Sequence, residues 1–372
     1  MKSEKKEGVC MTLDGYKVLN DRFEFQNLRL EYNEKIESLL PSESTEFKGY
    51  IIPGLVDVHT HGVIGQDANH MSDIESYIEY MYSKGITTFY PTTVSASLES
   101  LAEAVSVFKD DVRISGLNIE GPFLNKDFKG AHDENVLCEA YLELLYTLQE
   151  KSGNKVKLMT VAPEIGRNME FIAKATEAGV HISLGHSACD YETAVTAMEA
   201  GADHITHLFN AMKPLHHRNS GLVGAAFDKN FYVEIITDGI HVCPEVVRLA
   251  YHAIGSDRLL IISDCMAATG LADGNYKLGD LDVVVKDSVA HTLDGAIAGS
   301  THTIYDMVRS VANMGIPMEE AIKMATKTPA DSVGKTEIGV LSAGKKADFV
   351  ILDKDFSVLQ TIRGGETVYS AY

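Results

Sequence analysis

The sequence lacks the long apolar run that a membrane-spanning helix requires. None of its apolar runs approaches the roughly 18 consecutive residues that are typical of such a helix. Residues 1–7 are polar and no apolar stretch follows them, so we expect no secretory signal. These features predict a cytoplasmic protein without a membrane partner.

Basic charge and cysteine are also scarce. The 372 residues include 33 Lys and Arg against 53 Asp and Glu, which gives a net charge of −20. A nucleic-acid-binding protein usually presents a basic face, so we expect no nucleic-acid partner. The five cysteines are scattered and form no Cys-x-x-Cys pair. This pattern disfavours a disulfide framework and a zinc finger, and it favours a reducing compartment.

What the sequence does contain is a regular alternation of short β-branched runs with helical runs. Such alternation predicts an α/β fold with parallel strands and crossover helices, and eight units favour a (β/α)8 TIM-like barrel. A doubly wound open sheet is the alternative, but no Gly-x-Gly-x-x-Gly motif follows any strand. The eight predicted strands are residues 51–61, 87–90, 113–120, 155–161, 181–184, 204–207, 231–237 and 259–263.

The two ends of the chain follow a different pattern. Strand-like runs without a clear helix lie at residues 9–13, 16–19 and 22–30, and again at 348–352 and 358–363. We therefore expect both termini to meet in a small β-sandwich domain beside the barrel. The predicted boundaries are 1–50 and 336–372 for this small domain and 51–335 for the barrel. The stretch between residue 263 and a helix near 300–314 is interpreted as irregular.

Histidines and carboxylates follow the predicted barrel strands. His59 and His61 end the first strand two positions apart, so both imidazoles can face the same side. The carboxyl ends of barrel strands converge on one mouth, where active sites lie. Imidazole and carboxylate ligands suit zinc, iron and similar divalent ions. The pattern predicts a metal site at this mouth, built from His59, His61, Glu120, His186, His207 and Asp264.

A metal at the mouth would lower the pKa of a bound water toward neutrality. A neighbouring carboxylate could hold the released proton and pass it to a leaving group, and Asp264 is placed for this task. His132 lies in the long loop after the third strand and could donate to a carbonyl oxygen as charge develops there.

A cluster of basic residues at 213–218 stands out in this acidic chain. Arg218 and the two histidines before it suit an anionic group such as phosphate. The overall negative charge opposes the approach of anions, so a local basic cluster would be needed. His241 follows the seventh strand and could add a donor. A solvated basic loop without a ligand is the alternative interpretation.

Eight motifs in this order resemble those of the amidohydrolase superfamily of metal-dependent hydrolases. Within it, the sequence is most similar to the N-acetylglucosamine-6-phosphate deacetylase family. The first motif is general to the superfamily, whereas the second and fifth are more specific. The motifs are IPGLVDVHTHG at 52–62, NIEGPF at 118–123, KGAH at 129–132, LGHS at 184–187, THLFNAM at 206–212, TDGIH at 237–241, SD at 263–264 and IAGS at 297–300.

The resemblance implies a role for each matching residue. Glu120, His186 and His207 would hold the principal metal, and His59 and His61 a second one, with Glu120 bridging. One or two divalent ions, zinc or iron, are therefore expected. Asp264 would be the catalytic acid and base, and His132 would polarise the acetyl carbonyl. The residues implied for substrate binding are Ala131, His132, Asn210, Ala211, Arg218, His241, Ile297, Ala298 and Gly299.

The resemblance also implies a reaction and an assembly. The expected reaction converts N-acetyl-D-glucosamine 6-phosphate to D-glucosamine 6-phosphate and acetate, in amino-sugar catabolism. In the family, the counterpart of Arg218 can serve a neighbouring subunit, which implies a homodimer. Two alternatives stay open: an amidohydrolase for a different N-acyl sugar or a cyclic amide, and a catalytically silent sugar-phosphate-binding protein.

Overall fold

The computed structural model describes residues 10–372, and their strands form four sheets. One predicted strand began at residue 9, which lies outside the described residues. In chain order the strands are β1 (Met11–Leu19), β2 (Phe25–Tyr32), β3 (Ile36–Pro41), β4 (Gly49–Pro53), β5 (Leu55–Thr60), β6 (Gly62–Val63), β7 (Gln66–Asp67), β8 (Ile86–Thr93), β9 (Leu117–Glu120), β10 (Val156–Val161), β11 (His181–Leu184), β12 (His204–Ile205), β13 (Tyr232–Ile236), β14 (Leu259–Ile262), β15 (Gly274–Leu278), β16 (Leu281–Lys286), β17 (Val289–Thr292), β18 (Phe349–Leu352), β19 (Val358–Arg363) and β20 (Glu366–Ser370).

The largest sheet is the predicted barrel, and its eight strands are parallel. They are ordered β5-β8-β9-β10-β11-β12-β13-β14, so each strand pairs with the next barrel strand along the chain. The first and last strands meet at their carboxyl ends. There the Asp264 amide donates to the carbonyl of His59 at 2.9 Å, and the His61 amide donates to the carbonyl of Cys265 at 2.8 Å. The (β/α)8 prediction is confirmed.

Helices surround the barrel and bury their apolar faces against it. Several begin at a side-chain cap, such as Asp73, Ser97 and Asp190, which satisfies a free amide of the first turn. The short helices α6 (Gly221–Asp228), α9 (Met318–Met324) and α10 (Lys327–Ser332) were not predicted, because segments of this length show little helical periodicity. The helices are α1 (Ile74–Ser83), α2 (Leu98–Ser106), α3 (Leu142–Ser152), α4 (Asn168–Glu177), α5 (Tyr191–Glu199), α6 (Gly221–Asp228), α7 (Pro244–Ile254), α8 (Ile304–Asn313), α9 (Met318–Met324) and α10 (Lys327–Ser332).

The chain termini form a small β domain, as predicted. Its strands make one continuous sheet of seven, ordered β20-β19-β18-β4-β1-β2-β3. Strand β4 joins the two halves, because it pairs with β1 on one side and with β18 on the other. A separate apolar core lies within this domain and includes Leu30, Ile51 and Phe349.

Several strand boundaries differ from those predicted. The run expected as one strand over 51–61 is divided at Gly54 into β4 and β5, which belong to different sheets. A side chain at Gly54 would come within 2.2 Å of the Thr87 hydroxyl, so only glycine fits this crossing point. Strand β9 begins at Leu117 instead of residue 113.

The stretch expected to be irregular forms a three-stranded antiparallel sheet, β15-β16-β17. Its strand β16 alternates between buried and exposed residues, as a half-covered strand does. The sheet packs Leu278, Val283 and Val285 against Val94 and Met266, beside the barrel mouth. Among residues 10–372, no helix has the length and apolar character needed to cross a membrane.

Candidate active site

A cavity of about 270 Å³ opens at the carboxyl ends of the barrel strands. The strand ends bring together residues that are far apart in the sequence, as expected for this fold. His61, Glu120, His132, His186, His207 and Asp264 all line the cavity. His59 lies beneath it and is completely buried.

Three of the histidine and carboxylate residues at the mouth adopt a left-handed backbone conformation. The φ angles are +47° at His186, +27° at His207 and +47° at Asp264. Each is the second residue after its strand, β11, β12 or β14. Residues other than glycine rarely adopt this conformation, and such backbone strain concentrates at functional sites. The strained turns direct the three side chains over the barrel mouth.

Glu120, His186 and His207 form the tighter of two possible metal-ligand groups at the mouth. Glu120 Oε1 lies 3.0 Å from His186 Nε2 and 3.1 Å from His207 Nε2, and the two nitrogens are 3.1 Å apart. His186 Nδ1 donates to the carbonyl of Phe128 at 2.9 Å. Because Nδ1 carries the proton of a neutral ring, Nε2 of His186 presents its lone pair to the group.

The second group contains His59, His61 and the same Glu120. Its Nε2 atoms lie 3.7 Å and 3.3 Å from the Glu120 carboxylate oxygens, for His59 and His61 respectively. His61 Nδ1 donates to the carbonyl of Thr92 at 2.9 Å, and His59 Nδ1 donates to Glu234 at 3.0 Å. Both imidazoles therefore direct Nε2 toward Glu120, which is shared by the two groups.

Electrostatics at the mouth favour positive charge. Burial lowers the pKa of His61, but hydrogen bonds and charges from Asp264 and Glu120 outweigh this and raise it to about 9. Burial raises the pKa of Glu120, but His59 and His186 outweigh it and hold that pKa well below its usual range. The carboxylates thus attract cationic charge into a buried space.

The residues at the mouth fit a divalent cation. Among residues 10–372, His59 Nε2 is buried without a hydrogen-bond partner, although it faces the carboxylates. His186 Nε2 and His207 Nε2 lie 3.1 Å apart beside the same oxygen of Glu120, so both can bind one cation together with that carboxylate. The ligands of such an ion would be the imidazole and carboxylate groups that zinc and iron accept.

His132 differs from the other histidines of the mouth. Its Nδ1 accepts a hydrogen bond from the Ser95 amide at 3.1 Å, so Nε2 carries the proton in the neutral ring. Burial lowers the pKa of His132 to about 4, which keeps the ring neutral near pH 7. His132 is therefore a hydrogen-bond donor toward the cavity, and its Nε2 lies 3.3 Å from Glu120.

Asp264 is ionised at the mouth. Burial raises its pKa, but the hydrogen bond from His61 and the charge of His59 outweigh this and lower it to about 2. The carboxylate oxygen Oδ1 lies 3.0 Å from His61 Nε2 and 3.4 Å from His59 Nε2. Asp264 can therefore accept a proton beside the possible metal ligands.

Another group of ligand-type side chains lies at the opposite, amino-terminal end of the barrel strands. The carboxylate of Asp203 accepts from His181 Nδ1 at 2.6 Å and from His204 Nδ1 at 2.7 Å, using a different oxygen for each. Each Nδ1 thus has its acceptor and both Asp203 oxygens are used, so the three side chains form a closed hydrogen-bonded group, although His204 Nε2 has no partner among residues 10–372.

Comparisons with known proteins agree with this geometry. A sequence model described as the amidohydrolase family matches residues 50–368. The chain belongs to the amidohydrolase family. An N-acetylglucosamine-6-phosphate deacetylase of Vibrio furnissii is 37% identical over 334 residues, which cover 86% of this chain and 83% of the relative.

Solved structures extend the similarity to nearly the whole of this amidohydrolase. A crystal structure of N-acetylglucosamine-6-phosphate deacetylase from Thermotoga maritima has a TM-score of 0.91 and 32% identity, and the match covers 97% of this chain and 100% of that chain. A mutant N-acetyl-D-glucosamine-6-phosphate deacetylase from Mycobacterium smegmatis, in complex with N-acetyl-D-glucosamine-6-phosphate, has a TM-score of 0.92 and 32% identity, covering 98% and 100%.

Most of the expected substrate-binding residues also line the cavity of this amidohydrolase. They are Ala131, Asn210, Ala211, His241, Ile297 and Gly299. Ala298 is buried instead and packs in the core of the β15-β16-β17 sheet. Arg218 is exposed outside the cavity lining, where it lies 2.8 Å from Nε2 of His217.

Sequence reasoning missed several residues of the site. Val94, Leu278 and Ala296 also line the cavity, and Glu234 holds His59 from below. The strand pattern of 281–286 could have indicated the sheet that carries Leu278. A glutamate inside the otherwise apolar run 232–236 was the available signal for Glu234.

Proposed function

We propose that this amidohydrolase hydrolyses the acetamide of N-acetyl-D-glucosamine 6-phosphate to D-glucosamine 6-phosphate and acetate, in amino-sugar catabolism. One observation carries the proposal: an ionised carboxylate, Asp264, and a neutral donor, His132, flank a cation-fitting cluster in one cavity. The relatives named above carry this activity in their names.

We infer that Glu120, His186 and His207 hold one ion and that His59 and His61 hold a second, zinc or iron. A bound ion supplies Lewis acidity and a nucleophile at neutral pH. The role of the protein is to hold the four Nε2 atoms and the Glu120 carboxylate in place toward the ions. The hydrogen bonds from Nδ1 of His59, His61 and His186 to fixed acceptors serve this role.

Asp264 and His132 have separate roles in the reaction: Asp264 transfers the proton, and His132 donates a hydrogen bond. The carboxylate of Asp264 accepts a proton from the attacking water and delivers it to the nitrogen as the C–N bond breaks. The Nε2–H of His132 donates to the acetyl carbonyl oxygen, where negative charge develops. A neutral His132 suits this role better than a cationic one, because a cationic ring would form an ion pair with the carboxylate of Glu120 or Asp264.

The remaining cavity residues bind the sugar phosphate in this proposal. Ile297 and Gly299 form one wall, Ala131 and Ala211 are close to the reacting group, and Asn210 and His241 offer polar contacts. His241 is held by Asp238, which accepts from its Nδ1 at 2.7 Å, so its other ring nitrogen is available. Ala298 would act by fixing the backbone of this wall.

The exposed position of Arg218 is consistent with a homodimer. We propose that its guanidinium reaches the phosphate in the cavity of a second copy of the chain, because it does not line its own. The free state of all five cysteines and the sugar-phosphate substrate support a cytoplasmic location.

Acetate release tests the proposal directly. The purified protein, with its metal content measured, is incubated with N-acetylglucosamine 6-phosphate and separately with N-acetylglucosamine. We expect acetate from the phosphorylated sugar far faster than from the other, a loss of release after chelation and recovery when zinc or iron is returned. If the metal-loaded protein released acetate from neither sugar, the assigned substrate would be wrong.

A further inference from the structure

Glu234 is a carboxylate buried below the floor of the cavity. It lies on β13, has no exposed surface and does not line the cavity. Its Oε2 accepts from His59 Nδ1 at 3.0 Å and from the His207 backbone amide at 3.4 Å. Its Oε1 has no hydrogen-bond partner among residues 10–372. Glu234 therefore contacts two possible ligand residues but has no route to the substrate.

A buried carboxylate is costly unless its charge is compensated. The neighbours of Glu234 on β13, such as Val233 and Ile235, are apolar and buried, so they offer no compensation. An uncharged acceptor would suffice to hold the Nδ1 proton of His59. A carboxylate placed at this depth behind His59 suits a cation held on the other side of the imidazole.

His59 is distinguished from the other histidines of the mouth by this partner. His61 and His186 donate Nδ1–H to the backbone carbonyls of Thr92 and Phe128, which are neutral acceptors. His59 donates to a carboxylate. A carboxylate acceptor makes the imidazole more basic and a stronger ligand through its other nitrogen, and it fixes the tautomer.

We propose that Glu234 is a positioning residue that makes His59 a strong Nε2 ligand and thereby sets the affinity of the ion bound by His59 and His61. The inference rests on the metal-dependent function proposed above and extends it to a residue that never touches the substrate. The ion bound by Glu120, His186 and His207 depends less on Glu234, because only the backbone of His207 contacts it.

The test compares Glu234→Gln and Glu234→Leu with Thr361→Val as a control. Gln retains an acceptor for His59 without the charge, whereas Leu removes both. Thr361 is buried on β19 of the terminal sheet and its hydroxyl donates to the Tyr82 carbonyl at 2.7 Å, so the control loses one interior hydrogen bond outside the barrel mouth. Each protein is loaded with zinc or cobalt and dialysed against graded chelator. Metal per chain and the cobalt absorption spectrum are then measured.

We expect two ions per wild-type chain. In Glu234→Gln the affinity for one ion falls about 10- to 100-fold, while the other ion stays bound. Glu234→Leu loses that ion more completely, and Thr361→Val retains both. Wild-type affinities for both ions in Glu234→Gln would overturn the proposal, as would a single ion per wild-type chain or an equal loss in the control.

If Glu234→Leu does not fold, the metal affinities of Glu234→Gln are sufficient to test the proposal. Because no substrate is present in this titration, its outcome is independent of the proposed reaction. If Glu234→Gln loses metal affinity as expected but the wild type releases no acetate, the proposed reaction is wrong and this inference stands. If the wild type releases acetate but Glu234→Gln keeps both ions, this inference is wrong and the proposed reaction stands.

Discussion

The barrel carries histidine–carboxylate groups at both ends of its strands, and the two differ in how their nitrogens are used. At the amino-terminal end of the strands, here called the closed end, Nδ1 of His181 and Nδ1 of His204 each donate to the carboxylate of Asp203. At the mouth, His61 and His186 donate Nδ1–H elsewhere and direct Nε2 toward a shared carboxylate.

Both ends hold histidines and a carboxylate, so residue type alone does not make a metal site. In the closed-end group, both Nδ1 atoms and both Asp203 oxygens are used in hydrogen bonds, although His204 Nε2 has no partner among residues 10–372. At the mouth, the Nε2 atoms of His59, His61, His186 and His207 converge on the Glu120 carboxylate, and His186, His207 and Asp264 stand on strained backbone. The convergence of several Nε2 atoms on one carboxylate therefore distinguishes the cation site from the closed-end group.

The largest effect is expected from one substitution made at each end. His186→Asn removes a ligand of the tighter group and should abolish metal-dependent acetate release and lower metal per chain. His181→Asn should leave both unchanged, because its partner Asp203 belongs to a closed group. Metal analysis and acetate assays on the two variants make the comparison. Equal metal loss in both would remove the distinction between the two ends.

Asp264→Asn should retain metal and fold but lose about 10²- to 10⁴-fold in turnover, because it cannot accept the proton. The side chain keeps its size, and the closing hydrogen bond from its backbone amide to His59 stays intact. The measurement is kcat together with metal per chain. A variant with full turnover would show that the proton is accepted elsewhere.

His132→Gln should lower kcat by about 10²- to 10³-fold without changing metal content, because it removes the positioned donor to the carbonyl oxygen. The matched variant His186→Gln should lower metal content as well. This pair separates a donor histidine from a ligand histidine at the same mouth. Metal loss in His132→Gln would place His132 among the ligands.

Arg218→Ala should raise KM for the phosphorylated sugar about 10- to 100-fold, as expected for the loss of a charge-assisted hydrogen bond. The effect on the unphosphorylated sugar should be small. Lys213→Ala, in the same exposed loop, serves as the control. Equal changes for both sugars would exclude Arg218 from phosphate binding.

The smallest expected effect is the contribution of Asp203, at the closed end, to the stability of the fold. Burial raises the pKa of Asp203, but the charge of His204 and hydrogen bonds from His181 and His204 outweigh it and lower that pKa below its usual value. The ionised group therefore stabilises the fold above the unfolded pKa, near 4, and this stabilisation is lost as pH falls.

Urea unfolding of Asp203→Asn and wild type over pH 3 to 7 tests this sign. The wild type should have the higher midpoint at pH 7, and the difference should shrink in acid. A difference that grows toward low pH would contradict the assignment, since the active-site contribution is common to both proteins.

Much of the fold could be predicted, because the barrel strands are apolar runs separated by helical periodicity. The alternation also placed His59, Glu120 and Asp264 at strand ends, where a barrel brings distant residues together. The division at Gly54 could not be predicted, since it depends on the close approach of Thr87. The β15-β16-β17 sheet was missed because its strands are short and half exposed.

The hydrogen bonds that set the role of each site residue could not be predicted either, because they also depend on contacts between distant parts of the chain. The pattern predicted His132, in the loop over the mouth, as a donor to a carbonyl oxygen but could not show that Ser95 donates to its Nδ1. It also could not reveal that Glu234 supports His59, or that Arg218 lies outside its own cavity. These facts depend on contacts between residues 37 to 175 positions apart.

The most direct test of the account is an anomalous diffraction map of crystals grown with zinc at two equivalents per chain. The account predicts peaks between Glu120 and the histidines of the mouth and none beside Asp203. A peak at the Asp203 group, or an empty mouth in these crystals, would contradict it.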